Sequence, residues 1–182
     1  VLKFCTQFKE KGFHKLLRWS VNIRANLVND ELMKALKDAG CYQVRMGIES
    51  GNEYIRNTIY RRGMTNQEIH DAVDTIKRNN LQLRLYFMVG APPETLEMMQ
   101  ESLQMAQVLN ADDIFFGVLY PLSATDIRKL CEDEGVLEEK TEETTFEIGP
   151  VQKTKFVSSS QMRRFMRQVQ HWQMRQYVQV GL

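Results

Sequence analysis

The 182-residue chain is 43% hydrophobic, enough to bury one sizeable core and short of two full domains. Its 24 basic and 23 acidic residues leave a formal charge of +1, which excludes a polyelectrolyte surface for nucleic acid or acidic membrane over the chain as a whole. Its three cysteines, Cys5, Cys41 and Cys131, are too far apart for a secreted disulfide scaffold, so a reducing, cytoplasmic setting is expected; no run reaches the roughly 18 apolar residues of a membrane span.

The chain begins without Met, directly in a helical pattern, as expected of a segment from inside a longer protein whose N-terminal part is missing here. In chain order, Leu2, Phe4, Cys5, Phe8 and Phe13 mark the inner stripe of a short amphipathic helix closed by Gly12. Residues 16–23 read as a strand, because Leu17, Trp19, Val21 and Ile23 alternate with polar neighbours. Asn29 is placed to cap a helix with Leu32, Met33, Leu36 and Ala39 at helical spacing before a Gly40 stop. The central strand, 42–50, is apolar at Val44, Met46 and Ile48 and ends in Glu49-Ser50-Gly51, as a buried strand does when its tip opens onto a ligand.

A helical segment to about residue 60 and a turn through Arg61-Arg62-Gly63 lead to a further helix. In it Thr65 and Glu68 have capping-box spacing and Ile69, Ala72, Val73 and Ile76 form the stripe. A strand at 81–89 then ends in Gly90-Ala-Pro-Pro-Glu94-Thr95, and a helix at 94–109, a strand at 114–120 and a helix opened by Thr125 and ending near Gly135 follow. Residues 138–145 form a polar loop, 146–157 read as two short strands, and a basic amphipathic helix runs to about residue 178 with Met162, Phe165, Met166, Val169 and Trp172 on one face. Strand and helix alternate four times, which argues an α/β class with parallel strands and right-handed crossovers. Residues 1–135 are the expected barrel-type part and 136–182 a C-terminal extension.

Trp19-Ser-Val-Asn-Ile-Arg24, Met46-Gly-Ile-Glu-Ser-Gly51, Arg61-Arg-Gly63, Val89-Gly-Ala-Pro-Pro-Glu-Thr95 and Leu119-Tyr-Pro-Leu-Ser-Ala-Thr125, in this order, resemble the second half of the radical S-adenosylmethionine enzyme barrel. The subgroup most similar is the one whose full chains often carry a cobalamin-binding domain. The resemblance implies a partial TIM-like (β/α) barrel with parallel strands. It also implies an iron-sulfur enzyme in which a [4Fe-4S] cluster and S-adenosylmethionine generate a 5′-deoxyadenosyl radical for methylation, cyclisation or carbon-skeleton chemistry, with cobalamin allowed as a further cofactor. The family's CxxxCxxC loop is absent from these residues, so metal ligands are not assigned, catalytic residues stay unnamed, and the chain by itself is expected to be inactive.

Carried over residue by residue, the resemblance puts Glu49 on the ribose hydroxyls, a task for a carboxylate with two acceptor oxygens, with Ser50 assisting. Arg61, with Arg62 as competitor, takes the methionine carboxylate, and Arg24 reaches the substrate or that same carboxylate. Val89 and Gly90 approach the adenine, while Glu94 is more simply a helix cap than a ligand. Pro93 stands where relatives have glycine and stiffens the loop. The alternative from a different class is a non-catalytic α/β module binding a nucleotide or phosphate. For the basic final helix, with Arg163, Arg164, Arg167, Arg175, Trp172 and Tyr177, a solvated face or an interface to the absent N-terminal part is a simpler reading than nucleic acid. The small-molecule substrate is unknown, and a strand left at the sheet edge invites homodimer pairing.

Overall fold

Local chemistry sets most element boundaries. In the computed structural model, which describes residues 1–137 and 153–179 (side chains to residue 176), α1 is Leu2–Glu10 and β1 is Trp19–Ile23. Helix α2, Asp30–Asp38, starts where the Asn29 side chain accepts the Leu32 N–H, as its sequence position predicts. Strand β2, Cys41–Glu49, is followed by a π-helical turn, Ile55–Ile59. Helix α3, Asn66–Arg78, opens with the full Thr65–Glu68 capping box. Then come β3 (Gln82–Val89), α4 (Leu96–Leu109), β4 (Asp113–Val118), α5 (Asp126–Asp133) and α6 (Ser159–Gln179).

The four strands form one parallel sheet in the order β1-β2-β3-β4, the sequential order that right-handed βαβ crossovers produce. β1 lies at an edge, pairing with β2 from Trp19 opposite Cys41 to Ile23 opposite Met46. Burial alternates along β2 and β3: Val44, Met46 and Ile48, and Leu83, Leu85, Phe87 and Val89, are buried, while Arg45, Gly47, Glu49, Arg84 and Tyr86 occupy the half-exposed positions between them. The apolar side of each strand thus carries the core, and the other side keeps polar groups.

Residues gather into two compact units. The first comprises Val1–Ile48, Gly63–Tyr86 and Leu109–Phe115, with a core that includes Met33, Leu36, Val44, Met46, Ile69 and Ile76. In it the Asp30 carboxylate accepts a two-pronged bond from the Arg78 guanidinium at 2.8 and 2.6 Å. The second comprises Glu49–Arg62, Phe87–Val108 and Phe116–Leu182, where Phe87 stacks on Phe116 at 4.9 Å and Phe116 meets Phe165 edge-on at 6.5 Å.

Three expectations change. The first strand is shorter than 16–23, because Leu16 and Leu17 precede it and are 80% and 54% exposed. Only Cys5 of the predicted α1 stripe is buried; Phe4, Phe8, Phe13 and Trp19 instead pack ring against ring at 5.3 to 5.9 Å. Residues 153–157 are irregular rather than strand. The expected loop at 138–145, the rest of the predicted strand pair at 146–152 and the Tyr177 side chain lie outside the described residues.

Candidate functional site

The second unit contains the tips of β2 and β3, and its polar groups are arranged around them. Glu49, last residue of β2, has φ +70°, a left-handed conformation that costs a residue with a Cβ roughly 1–2 kcal/mol. Backbone outliers of this kind persist where surrounding structure over-determines them, and they cluster at ligand sites. The Glu49 side chain is 20% exposed, and the Arg62 guanidinium lies 3.4 Å from Oε1. Removal from water raises its carboxyl above the usual range, and Arg62 opposes that shift.

What over-determines this tip is its next two residues. Gly51 donates its N–H to Ser102 Oγ at 2.8 Å, and a Cβ on Gly51 would fall 2.5 Å from the Glu101 carbonyl oxygen, so only glycine fits. Ser50 is fully buried; its Oγ lies 3.3 Å from Ser102 Oγ and accepts the Asn52 N–H. Its hydroxyl therefore builds the turn. Arg56, wholly buried, places Nη1 2.9 Å from the Ser50 carbonyl oxygen and 3.3 Å from that of Gly51, with Nη2 3.3 Å from Glu53.

The β3 tip is latched from within. Gly90, at φ +100°, donates its N–H to Glu94 Oε2 at 2.6 Å, and Ala91 N–H adds a second bond at 3.2 Å. The Val89 side chain is buried and its carbonyl accepts the Leu119 N–H. Thr95, rather than Glu94, caps α4 by accepting the Met98 N–H, so the expected helix-cap role of Glu94 gives way to a loop latch. Glu94 is fully buried, and desolvation pushes its carboxyl up to about 8 against the pull of the two N–H groups. Among the described residues, its Oε1 and the Tyr60 hydroxyl are buried without a hydrogen-bond partner. Burial drives the Tyr60 phenol well above its ordinary range, and the nearby Glu94 and Glu49 carboxylates add to the shift. One tyrosine therefore feels both tips.

Arg61 is not brought to Glu49. It is largely exposed, at φ +52°, and pairs with Asp126 at 2.7 Å, which turns its guanidinium away; Arg62 is the residue of the pair that reaches the β2 tip. Arg24 is an exposed residue of the other unit, directly after β1. Sequence reading passed over Arg56, Ser102 and Tyr60, since nothing in their local pattern distinguishes them from helix-surface residues. On α6, Arg164, Arg167, Gln168, His171 and Arg175 line a shallow open groove.

The model of the Radical SAM superfamily matches residues 4–106. The chain belongs to that superfamily. An uncharacterized methyltransferase of Pyrococcus horikoshii is 30% identical over 161 residues, covering 88% of this chain and 34% of that protein. An anaerobic magnesium-protoporphyrin IX monomethyl ester cyclase of Cereibacter sphaeroides is 24% identical over 107 residues, 58% of this chain and 17% of the relative. The radical S-adenosylmethionine methyltransferase TsrM from Kitasatospora setae, solved with cobalamin and a [4Fe-4S] cluster, superposes with a TM-score of 0.67 at 15% identity, covering 91% of this chain and 34% of that one. The fold of this radical SAM chain is thus a partial TIM-like barrel, and the chain spans about a third or less of the length of these relatives.

For the cluster, the residues present do not fit. Cys5, Cys41 and Cys131 are buried on three different elements, and burial pushes the Cys41 and Cys131 thiols up to about 11, away from the thiolate form a cluster needs. No group of three or more His, Cys, Asp or Glu among the described residues is placed to hold a metal ion. For the nucleoside, the chemistry of one tip is suitable: Glu49 is a strained strand-tip carboxylate with two acceptor oxygens, partly open to water, while the β3 tip at Gly90 is buried in the same unit.

Proposed function

We propose that this chain supplies the S-adenosylmethionine-binding rear wall of a longer radical SAM enzyme acting in the cytoplasm. Glu49 holds the ribose hydroxyls, the Gly90 backbone meets the adenine while the buried Val89 side chain anchors that tip in the core instead of facing the ring, and Arg62 offers the guanidinium that sequence reading gave to Arg61. Ser50 serves by shaping the turn, and Arg24 remains a candidate cation for the substrate or the cofactor carboxylate. The bound cofactor, reduced by a [4Fe-4S] cluster held elsewhere, would supply a 5′-deoxyadenosyl radical. Residues 1–135 form the barrel part and 136–182 the extension. By itself the chain is inactive in that reduction, because no CxxxCxxC run is present in it. Methyl transfer is the outcome we favour over cyclisation, with cobalamin as the further cofactor, on the support of the Pyrococcus relative and the TsrM fold.

The observation that carries the reading is the left-handed Glu49, whose carboxylate is held at the β2 tip partly out of water. Titration of the chain with S-adenosylmethionine tests it. Charge-assisted hydrogen bonds contribute about 1.5–3 kcal/mol, so Glu49→Gln should weaken binding roughly tenfold or more, and an unchanged affinity refutes the assignment.

A further inference from the structure

We infer that Arg56 and Ser102 together act as positioning residues that aim the Glu49 carboxylate at the ribose; this rests on the reading of Glu49 given above. The orientation of the Ser50–Gly51 segment, which directly follows Glu49, sets where that carboxylate points. A carboxylate selects a ribose only if its backbone cannot swing, and Glu49 occupies a conformation that a residue with a Cβ leaves readily.

Two grips hold the adjoining backbone. From one side, Arg56 Nη1 donates to the carbonyls of both Ser50 and Gly51, at 2.9 and 3.3 Å. From α4, Ser102 Oγ accepts the Gly51 N–H at 2.8 Å and touches Ser50 Oγ at 3.3 Å. Gly51 also packs so tightly on the α4 backbone that no Cβ would fit.

Arg56 has no exposed surface, although a buried guanidinium is retained only where its donors are matched. The matching groups include the two carbonyls and Glu53, all on the same turn. The π-helical turn Ile55–Ile59, closed by the Tyr60 N–H on the Ile55 carbonyl, includes Arg56 and carries the chain on to Arg62. Wide turns of this type recur at functional sites. A lysine in place of Arg56 keeps the charge but presents a compact ammonium rather than a planar fork, so it cannot hold both carbonyls in the same geometry.

The test compares adenosine with 2′-deoxyadenosine, titrated calorimetrically into the wild-type chain, Arg56→Lys, Ser102→Ala and Glu49→Gln, with thermal melts alongside. Wild type should bind adenosine about tenfold more tightly than the 2′-deoxy form. Arg56→Lys and Ser102→Ala should still melt cooperatively yet lose most of that preference, which a merely structural contribution would leave intact while weakening both ligands equally. A preference abolished by Glu49→Gln but retained in both other variants overturns the positioning role and leaves Glu49 standing. No preference in wild type, or its persistence in Glu49→Gln, overturns the Glu49 reading and this inference with it. If Arg56→Lys does not fold, Ser102→Ala decides by the same criterion.

Discussion

Glu94 shows how far a single buried carboxyl can govern a loop. One of its oxygens accepts the Gly90 and Ala91 N–H groups, the other has no partner among the described residues, and its carboxyl is pushed up to about 8 from an ordinary 4.5. The folded chain therefore keeps a proton that the unfolded chain has already released. The associated stability is fully present below pH 4.5 and is lost as pH rises toward about 8, at on the order of 1 kcal/mol per pH unit. Urea melts between pH 5 and 8 should show this decline, and Glu94→Gln should flatten it; a decline of equal slope in the variant refutes the assignment. Asp30 works in the opposite direction and elsewhere: Arg78 and Asn79 hold its carboxyl at about 2, so its contribution is present above pH 3.8 and lost as pH falls toward 2, outside that window.

Among the elements, those with caps written into their first residues follow the sequence closely. The α3 start is fixed by Thr65 and Glu68, each satisfying the other's backbone N–H. Thr65→Ala should destabilise the chain by about 1 kcal/mol, read as a shift in urea midpoint at unchanged slope. No shift would mean that tertiary packing alone sets where α3 begins. Asn29 and Thr125 cap α2 and α5 in the same way, and both are legible because the acceptor and the N–H it serves are three residues apart. Helix α1 is the counterexample. Its periodicity marks which residues share a face, and that face is only partly covered, so Leu2 and Phe4 stay 41% and 48% exposed. Helix α6 keeps its apolar stripe of Met162, Phe165 and Val169 buried, with arginines on the open side.

For the whole molecule, sheet order leaves β1 at an edge, next to the exposed Leu16 and Leu17. Unpaired edge amides beside apolar side chains favour pairing with another copy. Light scattering or sedimentation of the chain across a concentration series should show a dimer growing in with concentration; a monomer throughout refutes edge pairing. That expectation concerns this chain, which spans about a third of the length of the Pyrococcus relative and of TsrM.

The amino-acid sequence by itself determined the succession of strands and helices, most helix starts, and the two strand tips, Glu49-Ser50-Gly51 and Val89-Gly90, at which the ligand site is proposed. Period-two and period-3.6 patterns, caps and glycine stops are interactions among residues at most a few positions apart, so a linear reading recovers them. Only the tertiary structure decided which arginine faces Glu49, that Ser50 is consumed by its own turn, and that Arg56, Tyr60 and Ser102 surround the tips. Gly51 meets Ser102 51 positions away and Arg61 meets Asp126 65 away. Such pairings depend on how strand ends and helices come together in space, which no local pattern encodes.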